Sequence, residues 1–232
     1  MSTIADRAFR AVNLDFFKSI RYPESCGFKE LDLPNEEQYV LRLLIEEPYS
    51  GIKLPNQYNW TLPIIREAKM AQKKMVGVRH PFTYLTIRHG IVKSDNDDVW
   101  HTDGFSTRFN HLPEQNYIWV NNFPTEYTAS PISFPDDFNS QFHNIHLFLQ
   151  DVIPDTQEVS SLRKNYIYAM DPYVVHRRPK EAYGKQRTFL RVSFTPIEII
   201  DKDNTFNPEI PRNYTRSGVK DFRDNLFRYE VI

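Results

Sequence analysis

Hydrophobic and polar positions follow two different patterns along this chain, and the change falls near residue 80. Before that point, apolar residues recur at mixed helical spacing in the segment 35–47, where Asn35 is a suitable N-cap and two glutamates follow. The segment 62–75 combines good helix formers with lysines near its end. We predict one helix in each of these two segments.

From Pro81 onward, aromatic and β-branched residues dominate in short runs that are separated by Pro, Asn and Asp. Five runs are strand-like: FTYLTIRHGIV, NYIWVNNF, NYIYAM, PYVVHR and RTFLRVSFTPIEI. Residues 94–98 and 124–140 are rich in turn formers, so we expect loops there. Helical segments followed by many strands favour a mainly β fold with antiparallel pairing.

The length of 232 residues suits one domain with a substantial core. We therefore predict a single domain over 1–232. It would contain a helical N-terminal part at about 1–80, a β core at about 81–200 and a C-terminal extension at about 201–232. The extension closes with VKDFRDNLFRYEVI, which has the pattern of a final helix packed on the core.

Charge and composition narrow the expected partners. A net charge of −1 gives no reason to expect nucleic acid or an anionic membrane surface as a partner. We find neither the apolar core of a signal peptide nor a run of the roughly 20 apolar residues that a membrane span needs. Cys26 is the single cysteine, so a reducing, cytoplasmic location is expected. The glycines do not cluster, which argues against a phosphate-binding loop.

The run VWHTDGF, residues 99–105, places His101 two positions before Asp103. On a strand, residues i and i+2 point to the same face, so both side chains would be directed at one point. Gly104 would then let the chain turn away. Two interpretations compete: an Asp-Gly turn with a histidine beside it, or two ligands of a metal site.

His176 is the best candidate for a third ligand, because it ends the apolar run PYVVHR. The next strand-like run, RTFLRVSF, places Arg187 and Arg191 on one face. Two arginines on a buried strand require anionic partners, and a guanidinium can grip a carboxylate through two parallel hydrogen bonds. Two histidines and one carboxylate on one face of an ion form the facial triad of non-haem iron(II) oxygenases.

The order His101-Thr-Asp103, then His176, then an arginine 11 or 15 residues later, resembles the iron(II)/2-oxoglutarate-dependent oxygenases. The resemblance covers roughly 82–196, about half of the chain. It implies a double-stranded β-helix, a jelly roll of the cupin type, with flanking N-terminal helices. The distal arginine is similar to that of the taurine-dioxygenase and phytanoyl-hydroxylase branches. Nucleic-acid demethylases of the AlkB type carry two arginines six apart, whereas the two arginines here are four apart, so the chain departs from that branch.

By this resemblance, His101, Asp103 and His176 bind Fe(II), and 2-oxoglutarate and O2 are co-substrates. Arg187 would hold the distal carboxylate of 2-oxoglutarate, with Arg191 as the second candidate. If Arg187 has that role, Arg191 faces the substrate or the keto-acid end of the co-substrate. The resemblance implies that 2-oxoglutarate is converted to succinate and CO2 while the substrate is oxidised. An aspartate in the triad favours hydroxylation, or desaturation, over halogenation.

Residues that flank the proposed ligands supply further candidates. Tyr84, Thr86 and Arg88 alternate along FTYLTIR, a strand that lines the pocket in this superfamily. Tyr84 and Thr86 are candidates for hydrogen bonds to 2-oxoglutarate, and Arg88 for contact with the substrate. The alternative is that this strand face takes no part in the site. Trp100 and Phe105 are candidates for a core wall or for the rim of a substrate pocket.

The substrate is less well defined by the sequence. Basic residues follow the third ligand: Arg177, Arg178, Lys180 and Lys185. They indicate either a positive mouth for an anionic small molecule or an ordinary solvated loop. For His143 and His146 we expect packing or capping, with substrate contact as the alternative.

We therefore predict an iron(II)- and 2-oxoglutarate-dependent dioxygenase that hydroxylates or desaturates a small molecule, with an amino acid or a carboxylate-bearing metabolite as candidates. Two other functions stay open: a cupin-type metalloenzyme that does not use 2-oxoglutarate, and a catalytically inactive β-barrel that binds a ligand. Substrate identity, pathway and oligomeric state do not follow from the sequence.

Overall fold

The structure is a computed structural model. Its described residues are 13–76, 80–94, 97–104, 114–140, 142–153, 159–201 and 203–210. Within these ranges the fold is mainly β, as predicted, with nine strands in two antiparallel sheets. The final helix predicted near the C-terminus lies outside the described residues.

The larger sheet has six strands. In spatial order they are β1 (Glu24–Phe28), β7 (Tyr166–Met170), β4 (Gln115–Val120), β9 (Gln186–Thr195), β3 (Phe82–Ile91) and β2 (Gln38–Glu46). The smaller sheet has three: β6 (Ser160–Ser161), β5 (Glu126–Thr128) and β8 (Val175–Arg177). All the strand pairs in both sheets are antiparallel.

Two α-helices and three short 3-10 segments accompany the sheets in the described ranges. The helices are α1 (Leu62–Val76), which confirms the second predicted helix, and α2 (Ile145–Val152). The 3-10 segments are Leu14–Lys18, Asn56–Thr61 and Lys180–Ala182. No helix in the described part of the chain is both long and apolar enough to cross a membrane.

The helix predicted over 35–47 is wrong, because residues 38–46 form the edge strand β2. The pairing of β2 with β3 shifts register twice, and Arg42 has a positive φ of 44°. These irregularities bury Val40, Leu43 and Ile45, a spacing of three and then two residues. A bulged strand with that spacing imitates a helical pattern. The expected helical character of residues 1–80 is therefore wrong for β1 and β2, which belong to the main sheet.

The core lies between α1 and one face of the six-stranded sheet. Alternate residues of β9, namely Leu190, Val192 and Phe194, pack in one cluster with Ile64 and Ile65 of α1. Because side chains alternate along a strand, this packing directs Arg187, Phe189 and Arg191 to the opposite face, as the sequence pattern predicts.

The start of the C-terminal extension covers the free edge of β2. The Thr205 amide donates to the Leu41 carbonyl over 2.7 Å, and the Leu41 amide donates to the Thr205 hydroxyl over 2.9 Å. The Asn207 side-chain amide donates to the Leu44 carbonyl over 2.6 Å. Capping an edge strand in this way satisfies backbone groups that would otherwise be open to pairing with another chain.

Candidate metal centre

Two chain segments far apart in sequence are joined by a single β-bridge at the candidate site. The His101 amide donates to the His176 carbonyl over 3.0 Å, and the His176 amide donates to the His101 carbonyl over 2.9 Å. His176 lies on β8, whose other edge pairs with β5. The bridge brings the two imidazole rings to a centroid separation of 4.6 Å.

The predicted third member joins them. One potential ligand atom from each of His101, Asp103 and His176 can be chosen so that all three lie within 4.8 Å of one another. The His176 Nε2 atom is 3.4 Å from Asp103 Oδ2. These three residues, called the triad below, could hold a metal ion.

The two histidines are oriented by the same local contact. His101 Nδ1 is 2.7 Å from the carbonyl of Val99, and His176 Nδ1 is 3.0 Å from the carbonyl of Val174. A carbonyl can only accept, so Nδ1 of each ring carries a proton, and a neutral ring of this tautomer has its lone pair on Nε2. This tautomer is the one that a metal-ligating histidine needs when its second nitrogen is held by a backbone carbonyl.

The local electrostatics favour the metal-binding forms of His101 and Asp103. Burial, followed by the nearby His176, lowers the pKa of His101 to about 4. Burial would raise the pKa of Asp103, but Arg191 and His176 outweigh it and hold that pKa well below its usual value. At neutral pH the cluster therefore contains a neutral His101 and an ionised carboxylate, which are the forms that bind metal.

Gly104 allows the chain to turn immediately after Asp103. Its φ of +82° is in the left-handed region, and a Cβ atom added there would lie 2.9 Å from the Glu114 carbonyl oxygen. The turn therefore needs glycine both for its backbone conformation and for space.

The triad opens into a cavity of about 610 Å³, called the triad cavity below. Both arginines of β9 line it. Arg191 Nη1 is 2.5 Å from Asp103 Oδ2, the same carboxylate oxygen that faces His176. Arg187 donates from Nε to the Phe123 carbonyl over 3.0 Å and from Nη2 to the Thr125 hydroxyl over 3.3 Å. The two arginines thus differ, since only Arg191 is paired with an acid of the described residues.

The structure separates the three candidates of β3. Arg88 lines the triad cavity, but Tyr84 and Thr86 do not. The Tyr84 hydroxyl accepts from the Ile199 amide over 2.8 Å, and the Thr86 hydroxyl accepts from the Arg42 amide over 3.3 Å. The Tyr84 hydroxyl thus attaches the segment after β9 to the sheet, and the Thr86 hydroxyl binds an amide of the neighbouring strand β2 near its register shift.

Trp100 belongs to the wall rather than to the cavity lining. It is buried in the second core cluster with Phe17 and Tyr173. The Arg177 guanidinium lies 4.3 Å from its ring centroid and donates to Glu126 Oε2 over 2.7 Å. Phe105, the other aromatic candidate, lies outside the described residues.

The triad cavity is also lined by a histidine for which the sequence predicts mainly packing or capping. His146 lines the triad cavity from α2, and its ring centroid is 6.2 Å from that of His101. Asn144 caps this helix by accepting from the amides of His146 and Leu147. Gln150, one turn further along, lines the same cavity. The HNIH spacing was the only sequence signal, and it does not show which side of a short helix faces a site.

The donor set fits a divalent metal ion, because it combines two imidazole nitrogens with one carboxylate beside an open cavity. Comparison of the chain with protein-family models, with curated proteins and with solved structures finds no match. The class that the described residues define is therefore a mainly β protein with a possible His/Asp/His metal site.

Proposed function

We propose that this protein is an iron(II)- and 2-oxoglutarate-dependent dioxygenase that hydroxylates or desaturates a small molecule. One observation carries the proposal. A His/Asp/His triad, in which backbone carbonyls hold Nδ1 of both histidines, shares one cavity with two arginines from a single strand face. Metal ligands beside a carboxylate-binding cation suit a metal that is chelated by an anionic co-substrate.

We propose a double-stranded β-helix as the fold. Two antiparallel sheets with the triad at the bridge between 99–103 and β8 support this proposal. In such a fold the ligands would be held by strands and their immediate ends, which makes their geometry rigid.

His101, Asp103 and His176 would hold the iron. When bound, the iron would supply activation of O2 coupled to decarboxylation of 2-oxoglutarate. Arg187 would bind the distal carboxylate of the co-substrate, because it is the β9 arginine without an acid partner among the described residues. Arg191 would keep Asp103 ionised and oriented through their 2.5 Å contact.

The cavity volume supports a substrate of metabolite size. Its described lining contains six arginines and four aspartates, and five of the arginines, all except Arg187, are paired with an acid of the described residues. The arginines are Arg42, Arg88, Arg177, Arg178, Arg187 and Arg191, and the aspartates are Asp97, Asp103, Asp201 and Asp203. A volume of about 610 Å³ is within the usual range for small-molecule sites.

The test begins with metal binding, followed by anaerobic addition of 2-oxoglutarate to the Fe(II)-loaded protein. We expect one iron per chain, a visible charge-transfer band with 2-oxoglutarate, and release of succinate in air. His176→Ala should lose all three properties. His143→Ala removes a histidine that does not line the triad cavity and should keep them.

The outcomes separate the competing functions. Full activity in His176→Ala would contradict the proposal. Iron binding without the band or succinate would indicate a cupin-type metalloenzyme of another kind. No iron, with tight binding of a small molecule, would indicate a ligand-binding protein. If turnover occurs, a mass increase of the product by one oxygen identifies hydroxylation, and a loss of two hydrogens identifies desaturation.

A further inference from the structure

A second cavity lies beside the first and shares part of its wall. Its volume is about 430 Å³, and we call it the arginine cavity. Four of the residues that line it also line the triad cavity: Arg88, Asp97, Arg178 and Arg187. Lys93 lines only the arginine cavity, and Arg191 lines only the triad cavity. The two cavities can therefore be tested separately.

Three of the four cations of the arginine cavity are balanced by acids. Asp97 forms an ion pair with Arg88. Arg178 Nη2 is 2.6 Å from Asp98 Oδ1. The exposed Lys93 Nζ is 2.9 Å from Glu37 Oε2. Arg187 is thus the remaining cation, since no carboxylate of the described residues lies within 4.0 Å of it.

Arg187 is well placed to accept an anion. Its exposed fraction is 6%, so its charge is largely removed from water. Nε and Nη2 are held by Phe123 and Thr125, while Nη1 has no hydrogen-bond partner among the described residues. Burial, and then the charges of Arg178 and Arg88, lower the pKa of Arg187 to about 9, so it remains a cation at neutral pH under strong local repulsion. A buried charge in this situation is stabilised by a bound counter-ion.

We propose that the arginine cavity is a second anion-binding site, which takes a small oxyanion of phosphate or carboxylate chemistry with Arg187 as its central contact. Arg187 would then be shared between this anion and the co-substrate proposed above. Binding in the arginine cavity would weaken binding of 2-oxoglutarate, and by linkage the reverse would also hold. The site itself needs neither metal nor 2-oxoglutarate.

The experiment is calorimetric titration of the full chain with inorganic phosphate, without added metal or 2-oxoglutarate and at constant ionic strength. Arg187→Gln should weaken phosphate binding by about tenfold, the effect of one lost charge-assisted hydrogen bond. Lys93→Ala should weaken it by about threefold, since an exposed cation contributes less. Arg191→Gln should leave it unchanged.

Lys29→Ala is the matched control for Lys93→Ala. Lys29 is also paired with a glutamate, at 3.4 Å from Glu67, and it lines neither cavity. Its removal should not change phosphate affinity. If the thermal melt shows that Arg187→Gln does not fold, the phosphate affinities of Lys93→Ala and Arg191→Gln provide the test. Weaker binding in Lys93→Ala with unchanged binding in Arg191→Gln supports the arginine cavity.

Three results would overturn the second site: no phosphate binding by the unaltered protein, equal affinity in all variants, or loss in Arg191→Gln with retention in Lys93→Ala. The last result would place the phosphate in the triad cavity. Failure of the iron and succinate tests would leave this titration unaffected, so the two proposals fail independently.

Discussion

At the residue scale, Gly104 shows how one position supports the candidate metal centre. It follows Asp103 directly, and its positive φ turns the chain at the point where the carboxylate meets Arg191. Gly184 also has a positive φ, of +71°, but a Cβ atom added there would meet nothing within 4 Å. Alanine substitution at each of the two glycines can therefore distinguish the cost of backbone strain from the cost of a steric clash.

We predict that Gly184→Ala lowers the free energy of unfolding by about 1 kcal/mol, the cost of a left-handed alanine. Gly104→Ala should lower it by about 2–4 kcal/mol, because the clash with the Glu114 carbonyl adds to the same strain. It should also weaken metal binding by displacing Asp103, whereas Gly184→Ala should not. Urea unfolding and metal titration of both variants provide the measurements. Equal effects of the two substitutions would contradict the close contact.

At the element scale, α1 is held to the sheet by one face. Ile64, Ile65 and Ala68 are fully buried against it, while Met70 on the outer side is 58% exposed. The Tyr117 hydroxyl of β4 donates to Gln72 Oε1 over 2.9 Å and fixes the helix across the strands. Most of the stability of this helix should therefore come from packing rather than from its own propensity.

We predict that Ile64→Ala lowers the free energy of unfolding by about 2–5 kcal/mol, as expected for a large-to-small change in a closed core. Met70→Ala should change it by less than about 0.5 kcal/mol, because that side chain is on the solvent side. The free energies of unfolding of the unaltered protein, Ile64→Ala and Met70→Ala are compared by denaturant unfolding, with one shared dependence of free energy on denaturant concentration. A large loss in Met70→Ala would show that the outer face of α1 is also covered.

At the scale of the whole molecule, stability should depend on pH through a buried histidine. His80 is 2% exposed, and its Nε2 atom has no hydrogen-bond partner among the described residues. Burial lowers the pKa of His80 from 6.5 to about 4. As the pH falls below 6.5, unfolded chains bind a proton at this histidine before the folded protein does, so folding is disfavoured.

We predict that the destabilisation caused by His80 is absent above about pH 6.5 and grows as the pH falls. It reaches about 3 kcal/mol of the free energy of unfolding near pH 4. His80→Leu cannot bind a proton at this position and should reduce the dependence of the unfolding free energy on pH in that window, while His101, whose pKa burial also lowers to about 4, keeps its own contribution. His143→Ala should retain the slope of the unaltered protein. Parallel curves for His80→Leu and the unaltered chain would contradict the prediction.

The local pattern of residue types along the chain predicted several features of the fold. Helix formers and late lysines predicted α1, and alternation along RTFLRVSF predicted which face of β9 carries the arginines. It failed at β2, because two register shifts altered the spacing of the buried residues. It also could not place Tyr84 and Thr86, since the partners of their hydroxyls come from other chain segments.

Residue types and their alternation along the chain were enough to predict the mainly β character, and the family resemblance of the order His101, Asp103, His176 was enough to predict the three residues of the triad. The fold was needed to show that His101 and His176 are bridged, that Arg191 pairs with Asp103, and that Arg187 has no acid partner among the described residues. Those facts depend on distances between residues that are remote in the chain. Charge balance in a buried site is set by such distances, because a carboxylate stabilises a guanidinium only when the fold brings them together.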